Sequence, residues 1–112
     1  MDERRVAARR TDVKIVINQC VVTELGKETW LNATARDIST LGVSLLATED
    51  VASGESIYLL ASVTPQGKPP RDLEVNGVIA HCRAEGDQWR IGVKFIDLLG
   101  DERDQWAEFL GT

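Results

Sequence analysis

Arginines are concentrated at the start of this 112-residue chain, where four of them and no lysine fall within residues 1–10. Arg5 and Arg9 form an RxxxR spacing, and Arg4 and Arg10 flank them. A guanidinium group binds phosphate as a bidentate fork, pairs with the O6 and N7 edge of guanine, and stacks on a base, whereas lysine supplies only charge. The cluster favours a small anionic ligand, although an arginine-rich terminus taken alone is also typical of a solvated tail.

A second motif, DxSxxG, runs from Asp37 through Ser39 to Gly42. A carboxylate only accepts hydrogen bonds, and the N1–H and N2–H₂ edge of guanine only donates them, so an arginine on one edge and Asp37 on another would select guanine over adenine. Ser39 can donate its hydroxyl to a phosphate or a base, and Gly42 lets the backbone turn and approach a ligand. Each residue also has a structural interpretation, because Asp and Ser form turns with backbone groups and glycine suits a turn.

The overall composition is that of one globular domain, with 43% hydrophobic and 28% charged residues and a net charge of −5. An acidic chain is a poor general nucleic-acid binder, and its strands lack the interleaved basic and aromatic residues that single-stranded nucleic acid requires. No apolar run is long enough to span a bilayer, and the first residues do not resemble a secretory signal. We therefore expect a cytoplasmic protein with no DNA or RNA partner and no membrane insertion.

Alternation of apolar and polar residues predicts a single β-rich domain over residues 12–112, preceded by a flexible arm over residues 1–11. In the first strand one face would carry alternate residues from Val13 to Val21. Turn signals divide the pattern into six short strands, at residues 13–22, 30–37, 43–46, 57–63, 73–79 and 89–95. Short strands with close turns favour an all-β fold, a six-stranded antiparallel β-barrel.

The period becomes helical after the last strand. Asp101 is suited to be an N-cap and Gly111 to end the helix, which predicts a C-terminal helix over residues 101–110. Trp106, Phe109 and Leu110 would form one apolar stripe on it, because residues three and four apart share a helix face. We expect this helix to cap the barrel.

Nothing in the chain indicates catalysis, a metal or a cofactor. The single histidine, His81, has no partnered nucleophile pattern, and its neighbour Cys82 is not part of a second ligand cluster. Cys20 and Cys82 are expected to be reduced core thiols, since no export signal precedes the domain.

Both motifs in this order, followed by Ile91-Gly92-Val93-Lys94-Phe95, resemble the PilZ domain family. The resemblance extends from Arg4 to the predicted terminal helix. It implies a bacterial protein with a split β-barrel that binds the second messenger cyclic di-GMP. By the same resemblance, ligand contacts come from Arg5, Arg9, Asp37, Ser39 and Gly42, with Arg4 and Arg10 as additional contacts.

The expected function is therefore that of a cyclic di-GMP receptor. Residues 1–11 would fold over the ligand, and the changed conformation would signal to a downstream partner protein. An alternative hypothesis is a ligand-free PilZ-like adaptor, in which the barrel docks on a larger assembly and the arginines contact protein.

Overall fold

The structure, a computed structural model, describes residues 13–99, and there it consists of seven β-strands and no helix. In chain order the strands are β1 (Lys14–Glu24), β2 (Lys27–Trp30), β3 (Ala33–Ile38), β4 (Gly42–Ala47), β5 (Ser56–Thr64), β6 (Arg71–Glu85) and β7 (Gln88–Leu99). They form one antiparallel sheet in the order β2-β1-β5-β6-β7-β4-β3. The prediction of an all-β antiparallel fold is confirmed. The predicted arm (residues 1–11) and helix (residues 101–110) lie outside the described residues.

The predicted strand over residues 30–37 is divided into two, so that the described part has seven strands rather than six. The Leu31 amide donates to the Cys20 carbonyl at 2.8 Å, and the Thr48 amide donates to the Asn32 carbonyl at 3.4 Å. The chain changes partner here, because β2 pairs with β1 whereas β3 pairs with β4. Alternation does not reveal the break, since the apolar–polar period continues through it.

Four β-bulges bend the sheet, each placing one extra residue opposite a continuous partner strand. The extra residues are Asn18 in β1, Arg36 in β3, Ala80 in β6 and Ile96 in β7. A bulge bends its strand and increases the local twist. The sheet therefore curls into a half-barrel, and β3 at one edge comes into contact with β1 near the other.

The bulge at Asn18 changes which residues of β1 face the core. Ile17, before the bulge, packs against the core as the alternation predicts. After it, Cys20 and Val22 are the core residues, with 1% and 0% of their surface exposed. The predicted single face through residues 13–21 is therefore wrong, because one inserted residue reverses the alternation.

The concave side of the sheet holds one hydrophobic core with contributions from every strand except β2. Its largest fully buried side chains include Ile38, Leu45, Leu59, Ile79 and Ile91. Each such side chain stabilises the fold by roughly 1.5–3 kcal/mol. The residues between them on β3, β4, β6 and β7 point away from the core, and they form the surface that carries the candidate site.

Candidate functional site

A row of four paired residues crosses the convex surface of the half-barrel. Asp37 on β3 pairs with Ser44 on β4, Ser44 pairs with Gly92 on β7, and Gly92 pairs with His81 on β6. We call these four residues the outer row. Because neighbouring strands lie about 4.8 Å apart, the row spans roughly 14 Å. It begins with an acceptor, the Asp37 carboxylate, and ends with the His81 imidazole, whose ring lies over Gly92.

The bulge at Arg36 decides where Asp37 points. Without the extra residue, Asp37 would continue the phase of Ala33 and Ala35, which pack against the core. With it, Ile38 takes the core position at 0% exposure, and half-buried Asp37 joins the convex surface. The fold therefore carries this carboxylate outward at the end of β3, where a ligand can reach it.

The turn that follows Asp37 is held by the side chain of Ser39. Its hydroxyl oxygen accepts hydrogen bonds from the amides of Leu41 and Gly42 at 3.1 and 3.3 Å, and the Ser39 amide donates to the Gly42 carbonyl at 2.9 Å. The residue is 1% exposed. In the structure as it stands, the serine hydroxyl satisfies the turn rather than facing solvent.

Gly42 is required by the close approach of β4 to β7. A Cβ atom at this position would overlap the carbonyl oxygen of Val93 on β7. The Phe95 amide donates to the Leu41 carbonyl at 2.8 Å beside it, so the end of the turn is bonded directly to β7. The DxSxxG spacing thus places Asp37 on a rigid turn that is anchored to the last strand.

Arg90 lies beside the outer row, two residues before Gly92 on the same face of β7. Its Nε and Nη2 donate to the two carboxylate oxygens of Glu85 at 2.6 and 3.1 Å, and its Nη1 donates to the Ser44 hydroxyl at 3.2 Å. Arg36 adds a looser ion pair to Glu85 at 3.5 Å. Three arginines and two carboxylates therefore share this part of the surface, since Arg83 and Asp37 also lie close enough to act on the pair.

The same contacts set the direction of two pKa shifts. The hydrogen bond from Arg90 lowers the pKa of Glu85, and the charges of Arg90, Arg36 and Arg83 lower it further. The hydrogen bond to Glu85 raises the pKa of Arg90, and the charges of Glu85 and Asp37 act in the same direction. Both groups are thus charged across the physiological pH range.

The far end of the outer row is formed by His81. The space directly above Gly92 is filled by its imidazole ring, since an added Cβ at Gly92 would overlap that ring. A shallow pocket of about 350 Å³ lies beside it and is lined by Leu41, Gly42, Ala80, His81, Gly92, Val93 and Lys94. The pocket adjoins the turn of the DxSxxG motif through Leu41 and Gly42.

The predicted site residues fall into two groups. Asp37, Ser39 and Gly42 lie together at the β3–β4 turn, as their spacing requires. Arg5 and Arg9, with the flanking Arg4 and Arg10, lie outside the described residues. Their contact with the turn stays a prediction.

Sequence reasoning missed Ser44, Arg90 and His81 as neighbours of Asp37. No local signal connects them to Asp37, because the link is strand register across β3, β4, β7 and β6. Gly92 belongs to the Ile91–Phe95 stretch that the sequence analysis singled out, but its contact with the His81 ring was not predicted.

The two thiols of residues 13–99 differ in exposure, since Cys20 is buried and Cys82 is half-buried. Both cysteines are free, and burial raises the pKa of Cys20 to about 12, which keeps that thiol protonated and unreactive. Within the same residues no three potential ligands come together in a way that would hold a metal ion. No helix that could cross a membrane occurs in this part of the chain either.

The described residues form a small all-β domain, a curled antiparallel half-barrel with a polar row beside a rigid turn. A family model described as the PilZ domain matches residues 3–111, a range that includes both motifs. The chain therefore belongs to the PilZ domain family, whose members are generally cyclic di-GMP-binding effector domains.

Structural comparison gives the same fold. The solved structure of the Bacillus subtilis inhibitor of motility, MotI/DgrA, matches with a TM-score of 0.67 at 14% identity, covering 97% of this chain and 50% of that one. The chain thus spans about half the length of that protein, and at this identity the likeness shows the fold alone. No curated protein matches the chain in a sequence search.

Proposed function

We propose that this chain is a cytoplasmic bacterial receptor for cyclic di-GMP that binds its ligand over the outer row and passes the signal to another protein. The observation that supports it most directly is the position of Asp37. The bulge at Arg36 turns this carboxylate onto the convex surface, at the head of a polar row. The family match, which extends over both motifs, supports the same ligand.

In this proposal the two motifs recognise different parts of the ligand. Asp37 accepts from the N1–H and N2–H₂ edge of one guanine, which adenine cannot match. Arg5 and Arg9 fork onto phosphate oxygens or onto the O6 and N7 edge, and Arg4 and Arg10 add further contacts. A charge-assisted hydrogen bond contributes roughly 1.5–3 kcal/mol, so a few of them are enough for micromolar affinity, about −8 kcal/mol.

Ser39 and Gly42 contribute differently from Asp37. Since the Ser39 hydroxyl is bonded within the turn and Gly42 packs on β7, we propose that they act by holding Asp37 in place. Residues 1–11 close over the ligand when it binds. The two states that result differ in the surface they offer, which is what a downstream protein would distinguish.

Isothermal titration with cyclic di-GMP tests the proposal. Wild-type protein should bind saturably, and Arg5→Ala and Arg9→Ala should each weaken binding about tenfold or more, as the loss of one charge-assisted contact implies. Asp37→Asn should reduce the preference for cyclic di-GMP over cyclic di-AMP. Arg71→Ala, at the opposite end of β6 from His81, is the matched control and should leave the affinity unchanged.

The proposal fails if wild-type protein gives no binding signal at about 100 μM ligand, roughly −5.5 kcal/mol. It also fails if the arginine variants bind as the wild type does.

The adaptor hypothesis has one observation in its favour. Ser39 and Gly42 both have roles within the fold, so these two residues of the motif would be useful even in a protein that has no ligand. An adaptor would capture its partner equally well with and without cyclic di-GMP. It would lose the partner when Trp106 or Phe109 is replaced by serine, whereas a receptor's partner binding should depend on the nucleotide.

A further inference from the structure

Arg90 is held on the convex surface by three hydrogen bonds. Glu85 binds its Nε–Nη2 edge as a fork, and the Ser44 hydroxyl binds its Nη1. All of these contacts lie in the plane of the guanidinium group. They prevent the plane from rotating and leave its faces without hydrogen bonds, which is the arrangement that suits stacking.

Arginine can also bind a phosphate as a fork, but the Nε–Nη2 edge of Arg90 is already bonded to Glu85. Glu85 occupies the edge that a phosphate would bind, and its negative charge offsets that of Arg90. A ligand phosphate would meet the charge of this carboxylate, and only the two N–H groups not bonded to Glu85 or Ser44 would remain to bind it. The Arg90 side chain remains 22% exposed, so part of it is accessible to a ligand.

Arg90 lies close to Asp37, with Ser44 between them. Ser44 contacts Arg90 and is also the register partner of Asp37, and the charge of Asp37 acts on Arg90. Arg90 is two residues from Gly92 on the same face, or roughly 7 Å along the strand. A base whose edge is held by Asp37 would therefore extend within reach of the Arg90 plane.

We infer that Arg90 is a stacking platform for one guanine of bound cyclic di-GMP, an inference that rests on the proposed function. Glu85 is then the positioning residue that holds the plane of the Arg90 guanidinium group. Stacking on a guanidinium plane is tolerant of base identity, because every base has a π face. Arg90 thus supplies affinity, whereas Asp37 supplies the choice of guanine.

Titrations of four proteins test this inference: wild type, Arg90→Lys, Glu85→Gln and Arg71→Lys. Arg90→Lys keeps the charge and loses the plane, so it should weaken cyclic di-GMP binding about tenfold. The preference over cyclic di-AMP should stay as in the wild type. Arg71→Lys is the control, because Arg71 lies at the opposite end of β6 from His81 and the substitution likewise keeps the charge, so its affinity should not change.

Glu85→Gln separates stacking from phosphate binding by the sign of its effect. If Glu85 positions a stacking plane, its loss loosens Arg90 and weakens binding a few-fold. If Glu85 instead blocks a phosphate site, its loss strengthens binding, and the inference is overturned. Unchanged affinity in Glu85→Gln or in Arg90→Lys overturns it as well.

Failure of the proposed function gives a different result, since wild-type protein would then not bind at all. Thermal unfolding of each variant, measured before the titrations, shows that the folded protein is being compared.

Discussion

At the scale of single residues, the DxSxxG motif combines a side chain that faces outward with two that serve the fold. Asp37 is half-buried on the convex surface, while Ser39 is 1% exposed and bonded to backbone amides two and three residues on. A motif of this kind is recognisable as a unit because the outward residue is useful only when the other two hold the turn. Its members should therefore respond differently to substitution.

Ser39→Ala removes the acceptor for two backbone amides in a buried turn. Leaving such groups without a partner costs roughly 1–3 kcal/mol, so the free energy of unfolding should fall by that amount in a denaturant titration. Ser53→Ala, in the exposed turn before β5, is the control and should change stability by less than about 0.5 kcal/mol.

The same variant distinguishes a role of Ser39 in holding the turn from direct contact with the ligand. Under conditions where Ser39→Ala is fully folded, its affinity for cyclic di-GMP should stay close to that of the wild type. A tenfold loss of affinity, about 1.4 kcal/mol, in the folded variant would show direct contact with the ligand instead.

At the scale of elements, the approach of β4 to β7 is the critical contact for the site. Ser44 and Gly92 pair across it, and the end of the β3–β4 turn is bonded to β7. Gly42 permits this approach by having no Cβ. If β4 moved away from β7, Asp37 and His81 would no longer belong to one surface.

Gly42→Ala should destabilise the protein by about 3 kcal/mol, because the added methyl group overlaps a backbone carbonyl that cannot rotate away. Gly26→Ala is the matched control. Its Cβ would meet no atom within 4 Å, but its φ of +78° strains an alanine, so a loss of only about 1 kcal/mol is expected. The unfolding free energy is measured by denaturant titration. Equal losses of stability in the two variants would show that β4 and β7 can move apart to accommodate a methyl group.

The bulge in β1 gives a second prediction at this scale. Deleting Asn18 would move Ile15 and Ile17 from the core side to the convex side, at a cost of more than about 3 kcal/mol in unfolding free energy. Asn18→Ala keeps the bulge and replaces an exposed side chain, so it should be nearly neutral. A deletion variant as stable as Asn18→Ala would contradict the assigned register.

These elements also show how far the sequence leads. Alternation and turn residues were enough to predict an all-β antiparallel domain, and motif spacing was enough to place Asp37, Ser39 and Gly42 together. The bulges at Asn18 and Arg36 were not predictable, because no residue type is reserved for a bulge position. The sequence analysis also missed three neighbours of Asp37, namely Ser44, Arg90 and His81. Cross-strand neighbours depend on strand register, which three-dimensional packing decides.

At the scale of the whole molecule, the proposal requires that residues 1–11 approach the outer row only when ligand is present. The described residues place Asp37 and the outer row on one convex surface, formed by four of the seven strands. In a receptor of this kind, ligand binding would change the accessibility of residues 1–11. That change is measurable even when the downstream partner is unknown.

Limited trypsin digestion measures it. Trypsin cleaves after arginine, and saturating cyclic di-GMP should slow cleavage after Arg4, Arg5, Arg9 and Arg10 about tenfold, because a segment closed over a ligand opens less often. Cyclic di-AMP and the Asp37→Asn variant serve as controls and should give little protection. Unchanged cleavage of a protein that demonstrably binds the nucleotide would contradict closure of residues 1–11.

The order of strands in the sheet has a consequence for biosynthesis. β3 and β4 leave the ribosome early, but β7, which pairs with β4, is the last strand of residues 13–99 to be made. The outer row cannot exist until that strand has emerged and paired, since Gly92 and Arg90 both belong to it. Under the proposed function, a nascent chain that lacks β7 would be unable to bind cyclic di-GMP, and binding would become possible only after β7 has emerged and paired with β4.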